Sequence, residues 1–462
     1  MYYKFRYSIV FVERVLLMVA LSLALFLPFS VRNPYLLHPS RTSIITLCTF
    51  FLVYVLMTRV YGGLDIGERK SRPIVYSLAL CVAAADVVTH LYLCVMNTTV
   101  VHQGRFVYEQ PYLLALAFFL QLLLILGAAY GGNALHFHFV HPQSTLFIVS
   151  SGSDANRLVS KVMRYRRQYA VGQIASSDQR DLYTLIDRFD AIFLCNLTAE
   201  ERVDIVEHCY CKKKDFYYTM EISDLVSIGS ERVLFDDISV MRYNAHGLRL
   251  EQRILKRAMD FLLSLAGLLV ASPLMLGVAL AIKLDDGGHV FYKQPRATYR
   301  GRAFNVIKFR SMKEEGSVHR SATKNDDRVT RVGRFIRKFR LDELPQLLNV
   351  LRGDMSLVGP RPEMLENIEK YTEELPEFSY RLWAKAGLTG MAQVYGKYNT
   401  TPKEKLMLDM IYIERYSLLL DIKLMLRTVM VLLTPEESTE GFDAAPAAPQ
   451  SAQEEPSERK VS

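Results

Sequence analysis

Two adjacent carboxylates, Asp342 and Glu343, stand inside FRLDELPQLLNVLRGDMSLVGPRPE, a stretch that also carries Arg340, Arg352 and Arg361. An acidic pair among cations is by default a solvated salt-bridge cluster of little energetic consequence. The sharper reading is phosphoryl chemistry. An aspartate is ionised near neutral pH and can attack phosphorus to form an acyl phosphate. A neighbouring carboxylate can hold Mg2+ against diphosphate oxygens, and arginines grip phosphate through paired N–H bonds. Gly359-Pro360-Arg361-Pro362 is a rigid turn that presents one such arginine, and Arg352 offers a second. No Walker lysine-glycine loop and no His/Cys metal set competes for the role.

The elements that must position these groups are legible upstream. HVFYKQPRATYRGRAFNVIKFRSMK reads as two strands around an Arg300-Gly301 turn, with Lys308 and Arg310 on one face by the period of two. Thr330 to Arg340 reads as a short amphipathic helix, with Phe335, Ile336 and Phe339 on one side and Arg334, Arg337, Lys338 and Arg340 elsewhere. Such a helix suits a lipid headgroup layer. Before them, 258–282 is an apolar run long enough to span a bilayer as one helix. Ser272-Pro273 interrupts it midway, and proline removes a backbone hydrogen bond. Lys or Arg flanks both ends, which favours both ends on one side: a re-entrant helix-break-helix rather than a crossing.

The wider chain has 462 residues, a net charge of +8 and half its residues apolar, concentrated in the first 130. That balance suits anionic lipid, phosphate substrates or nucleic acid. Four runs, about 9–29, 43–60, 74–96 and 111–130, are each near the 20 residues a bilayer needs. Arg59, Arg69, Lys70 and Arg72 in the second loop, against Arg105 in the third, place both ends of this four-helix bundle in the cytoplasm. Asp86 and His90, a turn apart in the third run, are expected to face neighbouring helices. Strand-like runs at 146–149, 169–174 and 191–195 alternate with helical patterns, which predicts a small Rossmann-like parallel α/β domain over 145–245. Its Gly152 turn lacks G-x-G-x-x-G, so a structural or regulatory role is expected over nucleotide binding. The six cysteines form no CxxC pair. From 435 to 462 the composition reads as a disordered tail. The fold class expected is a multi-domain membrane protein: a four-TM bundle over 1–135, the α/β domain, and an α+β monotopic domain over 253–434.

Taken together, KRAMDFLLSL, VFYKQPR, FNVIKFRSM, LDELPQL, VGPRP and GLTGMAQVYG resemble the bacterial sugar transferase family, the monotopic polyprenyl-phosphate phosphoglycosyltransferases, over Arg253 to about Leu433. The preceding membrane and α/β segments are similar to its long members, which initiate exopolysaccharide or O-antigen repeat units. The resemblance implies that Asp342 attacks the sugar-bearing phosphorus of a UDP-sugar, releasing UMP, and passes the phosphosugar to undecaprenyl phosphate. It implies Glu343 as the Mg2+ ligand, Arg337 and Arg361 as phosphate contacts, and Ser272-Pro273 as the re-entrant break. It also implies a bacterial inner-membrane location with the catalytic domain on the cytoplasmic face, and a homodimer is compatible with it. Long members commonly transfer glucose- or galactose-1-phosphate, though nothing in these residues tells one hexose epimer from another. Two positions depart from the family pattern. Its R-x-G is Arg296-Ala297-Thr298 here, and its Pro-Gly-hydrophobic-Thr-Gly loop begins with Ala386. The reading from another class, an inactive membrane scaffold or nucleotide-sensing subunit, is disfavoured by the complete acid pair. A nucleic-acid binder is disfavoured because carboxylates within the basic cluster repel a phosphate backbone.

Overall fold

Long apolar runs dictate the first elements. In the computed structural model, which describes residues 2–31, 33, 36–100, 105–108, 110–150, 155–243, 248–313, 328–396 and 400–433, they form α1 (Tyr2–Ser30), α2 (Arg41–Tyr61), α3 (Ser71–Val100) and α4 (Pro111–Phe139). The expected tail at 435–462 and Gly152 lie outside the described residues. The chain divides between Glu221 and Ile222 into two compact units.

In the first unit α3 packs on α2 and α4, and α4 on α1. The polarity is inside-out. Phe11, Leu23, Leu52 and Leu123 are exposed, while Asp86, His90 and Gln121 are buried. Gln121 Nε2 donates to Asp86 Oδ1 at 3.1 Å and to Leu21 O at 3.0 Å, so one amide ties three helices. A surface of that kind is stable facing lipid, where polar groups must be satisfied internally. With the helix Leu250–Asp286 of the second unit, five helices are long and apolar enough to cross a membrane, and the protein is a membrane protein.

The same unit holds a parallel sheet of order β2-β1-β3-β4: β1 (Gln143–Val149), β2 (Tyr169–Ser176), β3 (Ala191–Cys195) and β4 (Asp215–Tyr218). Helices α5 (Asn156–Val162), α6 (Leu182–Arg188) and α7 (Ala199–Cys211) connect them. The hydrophobic pattern exposes three of the four strands. It misses β4, which is short and mostly exposed. At the strands' C-terminal ends Ser150 and Ser177 both donate to Glu201 Oε1, so this edge already holds an anion.

The second unit begins with α8 (Ile222–Gly229) and an antiparallel hairpin, β5 (Glu231–Phe235) and β6 (Ile238–Arg242). The segment 222–243 therefore groups with the C-terminal unit rather than with the parallel sheet. There follow α9 (Leu250–Asp286), the antiparallel β7 (Phe291–Ala297) and β8 (Ala303–Phe309), α10 (Arg331–Lys338) and α11 (Gln346–Arg352). Next come β9 (Ser356–Val358), α12 (Leu365–Glu374), β10 (Gly387–Thr389), α13 (Met391–Tyr395), α14 (Pro402–Glu414) and α15 (Leu418–Leu433).

Helix α9 is continuous through Pro273 where the sequence suggests a break. Proline offers no N–H to the Leu269 carbonyl four residues earlier. The Ser272 hydroxyl donates to that carbonyl instead, at 2.9 Å, so the carbonyl keeps a partner. Both halves of α9 are held by the same unit. Arg257 donates to Val350 O and Leu351 O, and Asp260 accepts from Leu357 N and Ser356 Oγ. Farther along, Val278 and Ile282 pack with Phe309 and Ile336. Between them Leu269, Val270, Leu274 and Leu276 are exposed. Lys256 fixes the first half: its Nζ donates to Asp421 Oδ2 at 2.7 Å and to Val358 O at 3.1 Å. Replacing Lys256 by Met leaves the fully buried Asp421 without its cation and should cost about 3–5 kcal/mol. The double substitution with Asp421→Leu should recover most of this in denaturation of the detergent-solubilised protein, and a neutral single variant would contradict the pairing.

Candidate active site

The acid pair sits on a tight turn between α10 and α11. Thr330 caps α10 by accepting from Gly333 N at 2.9 Å, and a Cβ at Gly333 would collide with the Ser311 carbonyl. Arg340 adopts φ 55°, the left-handed conformation that swings the chain into the 3-10 turn Leu341–Glu343. Leu341 and Leu344 pack on the Val278–Ile282–Phe309–Ile336 cluster. These apolar neighbours anchor the turn on both sides of Asp342 and Glu343.

Two other elements deliver cations to it. Lys308, near the end of β8, donates to Glu343 Oε1 at 3.0 Å. Arg361, on the turn after β9, donates from Nη2 to the same oxygen at 2.7 Å. That turn is fixed by short backbone bonds, Gly359 N to Thr389 O and Gly387 N to Pro360 O, both 2.8 Å. A Cβ on Gly359 or Gly387 would strike the opposing backbone, so this close approach requires both glycines. The Glu343 side chain is 14% exposed and Arg361 is 42% exposed, so the cluster is buried at the glutamate and open at the arginine.

The two carboxylates differ electrostatically. Burial raises the pKa of Glu343, but Arg361 and Lys308 together outweigh it and hold the group well below the usual carboxylate range. Asp342 is raised, first by burial and then by the Glu343 charge, with Lys308 and Arg337 opposing. Among the described residues no ion pair or hydrogen bond from another residue reaches the Asp342 carboxylate. One acid is committed and the other is free.

The expected site residues separate accordingly. Asp342, Glu343, Lys308 and Arg361 come together. Arg337 acts on the Asp342 charge while its Nε donates to Ser311 Oγ at 2.8 Å. Arg310 does not join them: it lies one residue past β8, where the period of two ends, and it pairs with Asp286 and the His289 carbonyl. Arg352 is exposed at the end of α11 with no ion pair to either acid. On α10, Ile336 is buried whereas Phe335 and Phe339 are exposed together, so the three do not share one side. Ser272 and Pro273 lie in the exposed middle of α9. Missed from sequence were Arg296, Glu363 and Arg381, a charged layer beneath the Arg361 turn.

The residues fit a divalent cation held jointly with a diphosphate. Lys308 and Arg361 both end on Glu343 Oε1, and among the described residues no hydrogen bond or ion pair reaches Oε2. Among the described residues no group of three or more His, Cys, Asp or Glu side chains would cage a metal alone. Mg2+ habitually takes one or two carboxylates and completes its shell with substrate phosphates and water.

Residues 251–435, which carry this site, match the model of the bacterial sugar transferase family. The chain is 44% identical over 190 residues to the UDP-glucose:undecaprenyl-phosphate glucose-1-phosphate transferase of Caulobacter vibrioides, covering 40% of this chain and 71% of that one. It is 42% identical over 185 residues to an Aeromonas hydrophila UDP-N-acetylgalactosamine-undecaprenyl-phosphate N-acetylgalactosaminephosphotransferase, covering 39% and 44%. It is 34% identical over 306 residues to the undecaprenyl-phosphate glucose phosphotransferase of Komagataeibacter xylinus, covering 61% and 58%. The chain thus spans about half the length of the latter two. It belongs to the bacterial sugar transferase family.

The two departures from the family pattern meet in one hydrogen-bond chain. Ala386, unlike proline, has an N–H, and it donates to Thr298 Oγ1 at 3.1 Å. Thr298 Oγ1 in turn donates to Asp354 O at 3.1 Å, and Thr298 and Ala386 are both buried. Thr298→Val should destabilise the protein by about 1–3 kcal/mol, because a buried N–H loses its acceptor. Adding Ala386→Pro, which removes that donor, should recover part of the loss, while Thr298→Ser should be near neutral in thermal unfolding. Additive losses in the double variant would contradict the coupling.

Proposed function

We propose that this protein transfers a sugar-1-phosphate from a UDP-sugar to undecaprenyl phosphate, through a covalent phosphosugar carried on Asp342. The observation that supports this best is the division of labour in the acid pair: Glu343 is clamped by Lys308 and Arg361, while Asp342 remains uncommitted. An Asp342 carboxylate oxygen attacks the sugar-bearing phosphorus, the bond to the bridging oxygen breaks, and UMP leaves with that oxygen. The lipid phosphate then attacks the same phosphorus, the acyl phosphate bond breaks, and Asp342 returns as a carboxylate. Burial strips water from Asp342 and makes it a better nucleophile, and Arg361 and Arg337 hold phosphate oxygens in line for attack. Mg2+ held by Glu343 with the diphosphate would supply charge neutralisation on the leaving phosphate.

The sugar is a hexose in this reading, glucose or galactose, and the product would initiate exopolysaccharide, capsule or O-antigen repeat units. Two of the three relatives above carry glucose in their names and one N-acetylgalactosamine.

The reaction would take place on the cytoplasmic face of a bacterial inner membrane. α1–α4 would cross the bilayer, and the parallel α/β sheet would serve a structural or regulatory role. α9, helical through Pro273, would be kinked there by the proline rather than broken, and so would dip into one leaflet and return. Contacts of both halves of α9 with the same unit support this, because a crossing helix would carry its ends to opposite sides.

Asp342→Ala should abolish UMP release from UDP-hexoses by detergent-solubilised protein with Mg2+, by 10³-fold or more as expected for loss of a nucleophile. Retained release would remove Asp342 from the role. In the protein without Mg2+, the Asp342 carboxyl should titrate above the ordinary aspartate value of about 3.9, since burial and the Glu343 charge both raise it. Lys308→Met, which deletes a cation lowering that pKa, should move the titration, followed by carboxylate infrared absorption, to still higher pH. A titration that moves down, or stays, would contradict this electrostatic account.

A further inference from the structure

Beneath the turn that presents Arg361 lies the second charged layer. Arg381 is 3% exposed, and its Nη2 donates to the Arg361 carbonyl oxygen at 2.9 Å. Its Nε and Nη2 also meet Asp409 Oδ2, at 3.1 and 2.8 Å, and Asp409 is 1% exposed. The remaining nitrogen, Nη1, stands 3.6 Å from Glu363 Oε2. Arg296 does the same one residue on, donating from Nη1 to the Pro362 carbonyl oxygen at 3.2 Å. Two guanidinium groups thus grip consecutive carbonyls of the turn from below. Beside them a cavity of about 10 Å³, room for one water, is lined by Thr298, Pro360, Arg361, Glu363 and Arg381.

We infer that Arg381, seated by Asp409, is a positioning residue: through the Arg361 backbone it sets the direction in which the Arg361 guanidinium meets Glu343 and a donor's phosphates. The inference rests on the phosphoryl-transfer reading. A buried ion pair is weak grounds for stability, because apolar replacements of similar volume are often neutral. What distinguishes this one is its bond to the backbone of a site arginine. The planar guanidinium fork holds the carboxylate and the carbonyl in one fixed geometry, whereas a lysine would keep the charge but place it as a flexible point donor.

The test is a double-mutant cycle on the full-length, detergent-solubilised protein, read as kcat/KM for UMP release from a UDP-hexose. Arg381→Gln should lower kcat/KM roughly ten-fold, chiefly through KM, when Arg361 is present. In an Arg361→Lys background, which already misplaces the fork, the same change should cost less than two-fold. Equal losses in both backgrounds, or no loss in either, would overturn the positioning role. Where Arg381→Gln fails to fold, Arg381→Lys carries the same cycle, with the thermal midpoint confirming that it is folded. Asp342→Ala, assayed in parallel, tests the reaction itself, so failure of the chemistry and failure of the positioning are read separately.

Discussion

A single carboxylate oxygen, Glu343 Oε1, receives both Lys308 and Arg361, and the second unit is arranged so that this meeting can occur. A buried carboxylate is tolerable only when paired, and here its partners come from β8 and from the turn after β9, far apart in sequence. Each must arrive on a rigid element. β8 is paired along its whole length with β7. The Arg361 turn is locked by the β9–β10 ladder and by glycines too close for side chains. With Glu343 neutralised locally, its neighbour Asp342 stays ionisable, partly desolvated and free of partners, which is the state a carboxylate nucleophile needs.

Helix α9 joins this arrangement to lipid. One face carries Lys256, Arg257, Asp260 and Ser264, each hydrogen bonded, three of them to the strand, helix or turn elements around the site. The other face is leucine and valine in the open. A helix that is polar toward its own protein and apolar outward is stable only where the outer medium is hydrocarbon. Val278 and Ile282 on α9 share a cluster with Leu341 and Leu344, which flank the acid pair, so the depth of α9 and the height of Asp342 are coupled by direct packing. A water-soluble nucleotide sugar and a lipid phosphate need such a fixed height in order to meet.

Sequence patterns reveal those parts whose local residues determine their surroundings. The apolar helices, three strands of the parallel sheet, the β7–β8 hairpin and the acid pair all announce themselves through periodicity or motif. What depends on tertiary partners does not. Lys308 and Arg310 share a strand period, yet only Lys308 lies within the strand, and Arg310 turns to Asp286. Phe335 and Ile336 look alike as apolar residues, but adjacent positions on a helix point about 100° apart, and only Ile336 finds a core. Arg381 sits in the unremarkable run PEFSYRLW, and its value lies in contacts with Asp409 and the Arg361 carbonyl, 28 and 20 residues away. The Ser-Pro pair suggests a break, yet the helix runs through Pro273, with the Ser272 hydroxyl meeting the Leu269 carbonyl that the proline leaves without an N–H.

The most direct test is to halt turnover by supplying a UDP-hexose without undecaprenyl phosphate, quench, and weigh the peptide that carries residue 342. One hexose phosphate on the carboxylate of Asp342, discharged when the lipid phosphate is added, is the predicted result. An unmodified peptide from protein that is releasing UMP stoichiometrically, or an adduct on another residue, would contradict the account.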